Sequence, residues 1–246
     1  MASSLGHGRE LDTAGYGWTW DDLPPPEDGP LDLRAFFDFS DAHADAHAGP
    51  PRPLELEVGS GKGTFAVSYG AANPHVDLLG IEYARAFWRY AADRVRRHAM
   101  PNVRVLYAEA SSFLKLYVPE ASLRQVHVYF PDPWPKKRHH KRRFVCESNL
   151  RLLHRLLERG EGEGEPVRAA VSTQPRTPPG RVRLATDHAD YFAWMEDAAA
   201  ACADVFERQD FEPPGSGEAG ELVGTNFERK YRREGRSFYG MILTRK

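Results

Sequence analysis

Between Tyr129 and Arg143 a single carboxylate, Asp132, stands between two prolines and beside Trp134, and the eight residues that follow Pro135, from Lys136 to Arg143, are all basic. Proline fixes its own φ and biases the residue before it towards extended geometry, so Pro131 and Pro133 give the acid a reproducible position. A fixed carboxylate can orient a substrate or face charge that develops during a reaction. The dense cationic run beside it can hold the phosphates of a nucleic acid. Taken alone, the same residues are also the composition of a plain turn followed by a solvated basic face or an import signal, so the rest of the chain must decide.

Three more acids, Glu57, Glu82 and Glu109, close or follow three successive apolar, β-prone runs at Leu54 to Val58, Val76 to Ile81 and Val103 to Tyr107. The first run leads into Gly59-Ser60-Gly61-Lys62-Gly63-Thr64. A glycine-rich turn lets the backbone approach a ligand closely, and an acid ending the second strand can accept hydrogen bonds from both ribose hydroxyls. The glycines are spaced as Glu57-x-Gly59-x-Gly61-x-Gly63 and not as GxGxxG, and an acid beside the turn repels phosphate. A cationic ligand without phosphate is therefore expected. S-adenosylmethionine, with an ammonium, a sulfonium and a ribose diol, fits Glu57, Gly59, Gly61, Gly63, Glu82 and Glu109 as its contacts.

The elements that must position these groups alternate strand and helix from Leu54 onward, which predicts a doubly wound, mostly parallel α/β sheet. A fourth strand, Val126 to Phe130, delivers the Asp132 loop at its C-terminal end, where open α/β sheets place ligands. A helix from about Phe144 to Glu158 follows, with Leu150, Leu153, Leu156 and Leu157 on one face. The fifth strand is Arg181 to Ala185, a helix covers Asp190 to Ala203, and strands at Val205 to Phe211 and Ser237 to Thr244 close the sheet as a hairpin-like end, for seven in all. Residues 1–50 read as a mobile or loosely docked arm, residues 51–246 as the catalytic domain, and the stretch near 160–180 as an exposed insertion.

The formal net charge of -2 over 246 residues conceals two cationic blocks, Lys136 to Arg143 and Arg229 to Arg236, so the total does not exclude a nucleic-acid partner. Cys146 and Cys202 have no CxxC or metal-ligand spacing, and His43 and His47 lack a carboxylate-rich partner motif, so neither a disulfide nor a metal is expected. A signal peptide and a run approaching the roughly 20 apolar residues of a membrane span are missing from the pattern, and a soluble cytoplasmic protein is expected.

With these motifs in hand, the chain resembles the TrmB family of tRNA (guanine-N7)-methyltransferases. The resemblance rests on Leu56 to Gly63, Gly80-Ile81-Glu82, Phe130-Pro131-Asp132-Pro133-Trp134 and Lys136 to Arg143, and continues through Ala185-Thr186-Asp187 and Thr225-Asn226-Phe227-Glu228. It implies a seven-stranded sheet of the class I S-adenosylmethionine-dependent methyltransferase type, with methyl transfer to N7 of a guanosine in the variable loop of tRNA. It implies that Glu57, Glu82, Glu109 and Asp132 surround the cofactor, that Lys136, Asp187, Thr225, Asn226, Phe227 and Glu228 contact the substrate nucleotide, and that Arg138, His139, His140, Lys141, Arg142 and Arg143 contact RNA. Glu109 stands where Asp or Asn is commoner in the family, and residues 160–180 are longer than usual.

Guanine N7 carries a lone pair and no proton, so the chemistry needs alignment and electrostatics and no general base. Asp132 is the aligning candidate, either through the guanine N1 and N2 donors or through the positive character that develops on the ring. Trp134 either stacks on a base or braces the loop, and Arg229 to Arg233 either widens the cationic rim or is a solvated surface. The reading from another class is a noncatalytic RNA-binding protein on a methyltransferase scaffold.

Overall fold

A computed structural model describes residues 9–37, 52–160, 178–218 and 221–246. Among them an eight-stranded sheet runs in the order β1-β4-β3-β2-β5-β6-β8-β7. The strands are β1 (Gly17–Thr19), β2 (Leu54–Val58), β3 (Asp77–Glu82), β4 (Val103–Tyr107), β5 (Gln125–Tyr129), β6 (Arg181–Thr186), β7 (Phe206–Asp210) and β8 (Tyr239–Arg245). All neighbouring pairs are parallel except those made by β8, which runs antiparallel between β6 and β7. The helices are α1 (Thr64–Ala72), α2 (Arg85–Arg97), α3 (Ala110–Tyr117), α4 (Glu147–Leu156), α5 (Ala189–Ala200) and α6 (Asn226–Arg233).

Both faces of the sheet are covered, so that even β2 (LELEV) and β5 (QVHVY), which alternate in sequence, are buried along their whole length. Along β3, Leu78 packs with Phe65, Ala66 and Val103 on one face, while Leu79 packs with Leu56, Leu106 and Val126 on the other. The chain runs outward from β2 through β3 to β4, then returns to lay β5 on the opposite side of β2. That reversal opens a crevice at the C-terminal ends of β2 and β5, and the glycine turn and the Asp132 loop both leave the sheet there.

The sheet has one strand more than the seven expected. Gly17–Thr19 pairs with β4, Gly17 opposite Val105 and Thr19 opposite Tyr107, and three residues are too few to show an alternating pattern. A Cβ at Gly17 would lie 2.9 Å from the Ala92 Cβ and 3.1 Å from the Trp88 ring, so only glycine admits the strand this close to α2. Leu33, Phe36 and Phe37 are buried in the core, the Tyr117 hydroxyl donates to Pro24 O at 2.9 Å, and Arg9 pairs with Asp93 at 3.0 Å. Of the expected mobile or loosely docked arm, residues 9–37 thus form a docked edge of the sheet, and their apolar side chains follow neither helix nor strand period.

A helix that no periodicity announced, α6, begins at Asn226 and is capped by the Thr225 hydroxyl, which accepts from Glu228 N at 3.0 Å. Thr225-x-x-Glu228 is a capping-box spacing, and that signal was present in the sequence. The expected insertion near 160–180 falls largely on residues 161–177, outside the described residues; the chain on either side of them is joined by Gly180 N donating to Glu158 O at 3.0 Å.

Candidate cofactor and substrate site

The glycine turn is held by the acid of the neighbouring strand. Glu82 accepts from Gly61 N and from Ala84 N, each at 2.7 Å, while Gly59 N and Ser60 N donate to Ile81 O at 2.8 and 3.0 Å. Gly59 and Gly61 have φ of +81° and +54°, and nothing lies within 4 Å of where a Gly59 Cβ would stand. The turn is therefore an open cradle whose backbone can meet a ligand directly. Burial raises the Glu82 carboxyl and nearby Asp132 adds to that, against the backbone amides that favour its ionised form.

A cavity of about 350 Å³ collects Gly59, Gly61, Glu82, Glu109 and Asp132 with the aromatic side chains of Tyr83, Phe87, Trp134 and Phe227. Glu109 caps α3, accepting from Ser111 N at 3.0 Å and from Ser112 N at 2.8 Å. Burial raises its carboxyl, but the Ser112 hydroxyl and the α3 amides outweigh this and leave it below its ordinary value. Asp132 is exposed at the cavity mouth between two non-glycine residues in the left-handed region, Phe130 at φ +51° and Trp134 at φ +42°. Arg142 stacks on the Trp134 ring at 4.9 Å, so the loop's tryptophan is braced from its own cationic run.

A second cavity of about 360 Å³ adjoins the first, sharing Gly59, Gly61, Phe87, Tyr129 and Phe227 with it and adding Glu57, Lys62, Thr225, Asn226 and Lys230. Glu57 is 3% exposed and its Oε2 has no hydrogen-bond partner. Burial, reinforced by Glu82 and opposed by the Ser60 hydroxyl, pushes its carboxyl up to about 8. A buried carboxyl with one unpartnered oxygen, lining a cavity beside an open glycine cradle, suits a cationic group.

The cavities thus bring together ten of the residues expected from sequence: Glu57, Gly59, Gly61, Glu82, Glu109, Asp132, Arg142, Thr225, Asn226 and Phe227. Gly63 lines neither; it caps α1 at φ +67° with a prospective Cβ only 3.0 Å from the Ala91 Cβ, so its role is helix packing. Asp187 lines neither cavity and is paired with Arg236 at 2.6 Å. Lys136, Arg138 and Lys141 are exposed on the loop and its 3-10 turn, His139 and His140 are half-buried there, and Arg142 alone of the run reaches the cavity lining.

Two expectations are overturned. Glu228 does not present a carboxylate to a base: it is fully buried, and its oxygens accept from Val223 N and Gly224 N at 2.9 Å each, from Leu222 N, and from Arg232 at 2.7 Å. Arg143 is not an exposed RNA contact, because it is 3% exposed and its guanidinium is consumed inside the protein. Both misreadings share a cause, since a charged residue in a motif gives no sign in sequence of whether its partners are solvent, ligand or backbone. Residues that the sequence reading did not single out also line the cavities: Tyr83 just after β3, Phe87 in the first turn of α2, Lys62 within the glycine turn and Tyr129 at the end of β5.

A doubly wound sheet with its reversal between β2 and β5, a glycine turn and acids on successive strand ends defines an S-adenosylmethionine-dependent methyltransferase of class I type. The model of a family described as "Putative methyltransferase" matches residues 51–163. The chain is 34% identical over 226 residues, 90% of its length and 80% of the relative's, to the tRNA (guanine-N(7)-)-methyltransferase of Alkalilimnicola ehrlichii. It is 32% identical over 92% of its length and 84% of the relative's to the enzyme of that name from Halorhodospira halophila, and 33% identical over 83% and 71% to that from Rhodococcus jostii. The chain belongs to the tRNA (guanine-N(7)-)-methyltransferase family.

Proposed function

We propose that this protein transfers the methyl group of S-adenosylmethionine to N7 of a guanosine in the variable loop of tRNA, with Asp132 as the aligning group. The observation that supports this most is one cavity holding the glycine cradle, Glu82, Glu109 and Asp132, with a cationic loop at its mouth, in a chain of this family. With tRNA as the partner, the proposed compartment is the cytoplasm. The proposed catalytic domain is residues 51–246, with β1 and the residues around it as its docked edge.

When bound, S-adenosylmethionine supplies a methyl group on a sulfonium whose positive charge is lost on transfer. Glu82 holds the ribose diol with the lone pairs left over from Gly61 N and Ala84 N, and Glu57 holds the ammonium. The apolar wall of Phe87, Tyr129 and Phe227 excludes water, and Asp132 orients the guanine or faces the positive character it acquires. Because N7 has no proton to lose, alignment is the protein's main contribution, and effects of this kind are worth on the order of 7 to 11 kcal/mol. Exposed Arg138 and Lys141 hold phosphates, which sets orientation and affinity without reading sequence.

Replacing Arg138 and Lys141 by Ala should weaken binding to many tRNAs alike and make the slope of log affinity against log salt shallower, by about 0.7 to 0.9 per lost phosphate contact. Filter binding across a salt series measures this, and a slope equal to the parent's would remove these residues from the interface.

A second test uses the raised Glu57 carboxyl. Its folded value near 8 lies above the ordinary 4.5, so the folded state binds the extra proton in between. The stability this contributes is complete below about pH 4.5 and is lost as pH rises through about 8. Glu57→Gln, which cannot ionise, should therefore melt higher than the parent at pH 9, with the advantage shrinking towards pH 5. Cofactor binding by the parent at pH 7 should release a proton, read as a dependence of calorimetric heat on buffer ionisation enthalpy, and Glu57→Gln should release none from this site. Equal heats in all buffers for the parent would place the cation elsewhere.

A further inference from the structure

The loop that carries Asp132 is held in a conformation that its residues do not favour. Phe130 and Trp134, at φ +51° and +42°, bracket Pro131-Asp132-Pro133, and left-handed backbone at two bulky aromatic residues persists only where the surroundings over-determine it. Phe130 is fixed from the sheet side, its N–H donating to Ala185 O at 2.8 Å and its ring packing edge-on to Phe238. The far side of the loop is fixed by a buried guanidinium. Arg143 Nε donates to Pro133 O at 2.8 Å, the carbonyl of the peptide that enters left-handed Trp134, and its NH2 group donates to Asp190 Oδ2 at 2.6 Å. Its guanidinium carbon lies 4.9 Å from the Tyr191 ring centre and 5.2 Å from that of Trp194, both on α5.

We infer that Arg143 is a positioning residue for the reaction: it ties the Asp132 loop to α5 and sets the place of the Asp132 carboxylate, and it makes no contact with RNA. The planar guanidinium suits this because it can bond a carbonyl and a carboxylate along two edges while its faces lie against aromatic rings, which an ammonium cannot do. The last residue of a run of eight basic residues is thus separated in role from those before it. Arg138 and Lys141 are exposed, whereas the Arg143 side chain is 1% exposed and has no face left for a phosphate. Asp190 is the outer half of the clamp, with its own side chain 64% exposed, so the clamp can be loosened from its accessible end without opening the core.

This inference rests on the proposed role of Asp132, and the test keeps the two apart. Methyl transfer to tRNA N7 by the parent protein is measured first; its absence would sink the proposed function itself. Arg143→Lys and Asp190→Asn are then compared with Arg138→Ala for rate at saturating tRNA and cofactor, for tRNA affinity, and for its salt dependence. Because a misplacement of about 1 Å can cost on the order of 100-fold in rate, Arg143→Lys should lower kcat by about 10- to 100-fold and Asp190→Asn by a smaller factor. Both should keep the parent's tRNA affinity within about twofold and the parent's salt slope, whereas Arg138→Ala should weaken tRNA binding and make the salt slope shallower. Circular dichroism and melting identify a variant that does not fold. Asp190→Asn, altered only at an exposed side chain, supplies the decisive comparison if Arg143→Lys is one of these. Unchanged kcat in folded Asp190→Asn, or a shallower salt slope with unchanged kcat in Arg143→Lys, would overturn the inference.

Discussion

Asp132→Asn should lower the rate of methyl transfer at saturating substrates by on the order of 100- to 1000-fold, the usual cost of removing one preorganised electrostatic group. The fold should be untouched, because Asp132 is exposed at the cavity mouth and the loop is held through Phe130, Pro133 and Trp134 rather than through this carboxylate. Affinities for tRNA and cofactor should change little, since Glu57, Glu82 and the exposed cations remain. The deficit should persist at every pH where the enzyme is stable, as an aligning group is not replaced by hydroxide. A general base would behave otherwise: the parent's rate would rise with ionisation of the acid, and a small added base would rescue Asp132→Ala. Single-turnover rates across a pH series distinguish the two, and a pH-dependent recovery would contradict the alignment role.

Glu228→Ala should be the most damaging change to structure near the site. It removes the acceptor of three backbone amides, Leu222, Val223 and Gly224, and the partner of Arg232, at a fully buried position. Leaving such donors without partners costs about 1 to 3 kcal/mol each, while the lost pair with Arg232, whose side chain is 47% exposed, adds little. Because the turn at 222–224 leads directly into the Thr225 cap of α6, loss of the brace should displace Phe227 from between the two cavities and abolish activity together with stability. Denaturant midpoints and limited proteolysis around residues 216–225 measure this. A variant as stable as the parent, with only its tRNA affinity reduced, would show Glu228 to be a base contact after all.

The contrast between Glu82 and Glu228 explains how much could be read in advance. Strand ends, the glycine turn and the Asp132 loop follow from local rules: apolar runs of strand length, glycine where φ is positive, proline on either side of an acid. Those rules put Glu57, Glu82 and Glu109 on successive strand ends at one crevice, and the family resemblance added Asp132 to it. They could not tell that Glu228 serves backbone amides or that Arg143 serves Pro133 O and Asp190, because those partners lie in the turn before α6, at the other end of the Asp132 loop and across the fold on α5. The edge strand Gly17–Thr19 escaped for a related reason. Its place is set by a close approach to Ala92 and Trp88, a tertiary fact that leaves a single glycine as its only trace.

The most direct test is to incubate the pure protein with unmodified tRNA and S-adenosylmethionine and map the methylated base. N7-methylguanosine is cationic and its ring opens on reduction, which permits strand scission at that nucleotide. Scission at one guanosine of the variable loop, lost when Asp132→Asn replaces the parent, is the expected result. Methyl on N1, on N2 or on ribose, or intact tRNA after full incubation with active cofactor, would contradict the assignment even if S-adenosylmethionine were consumed.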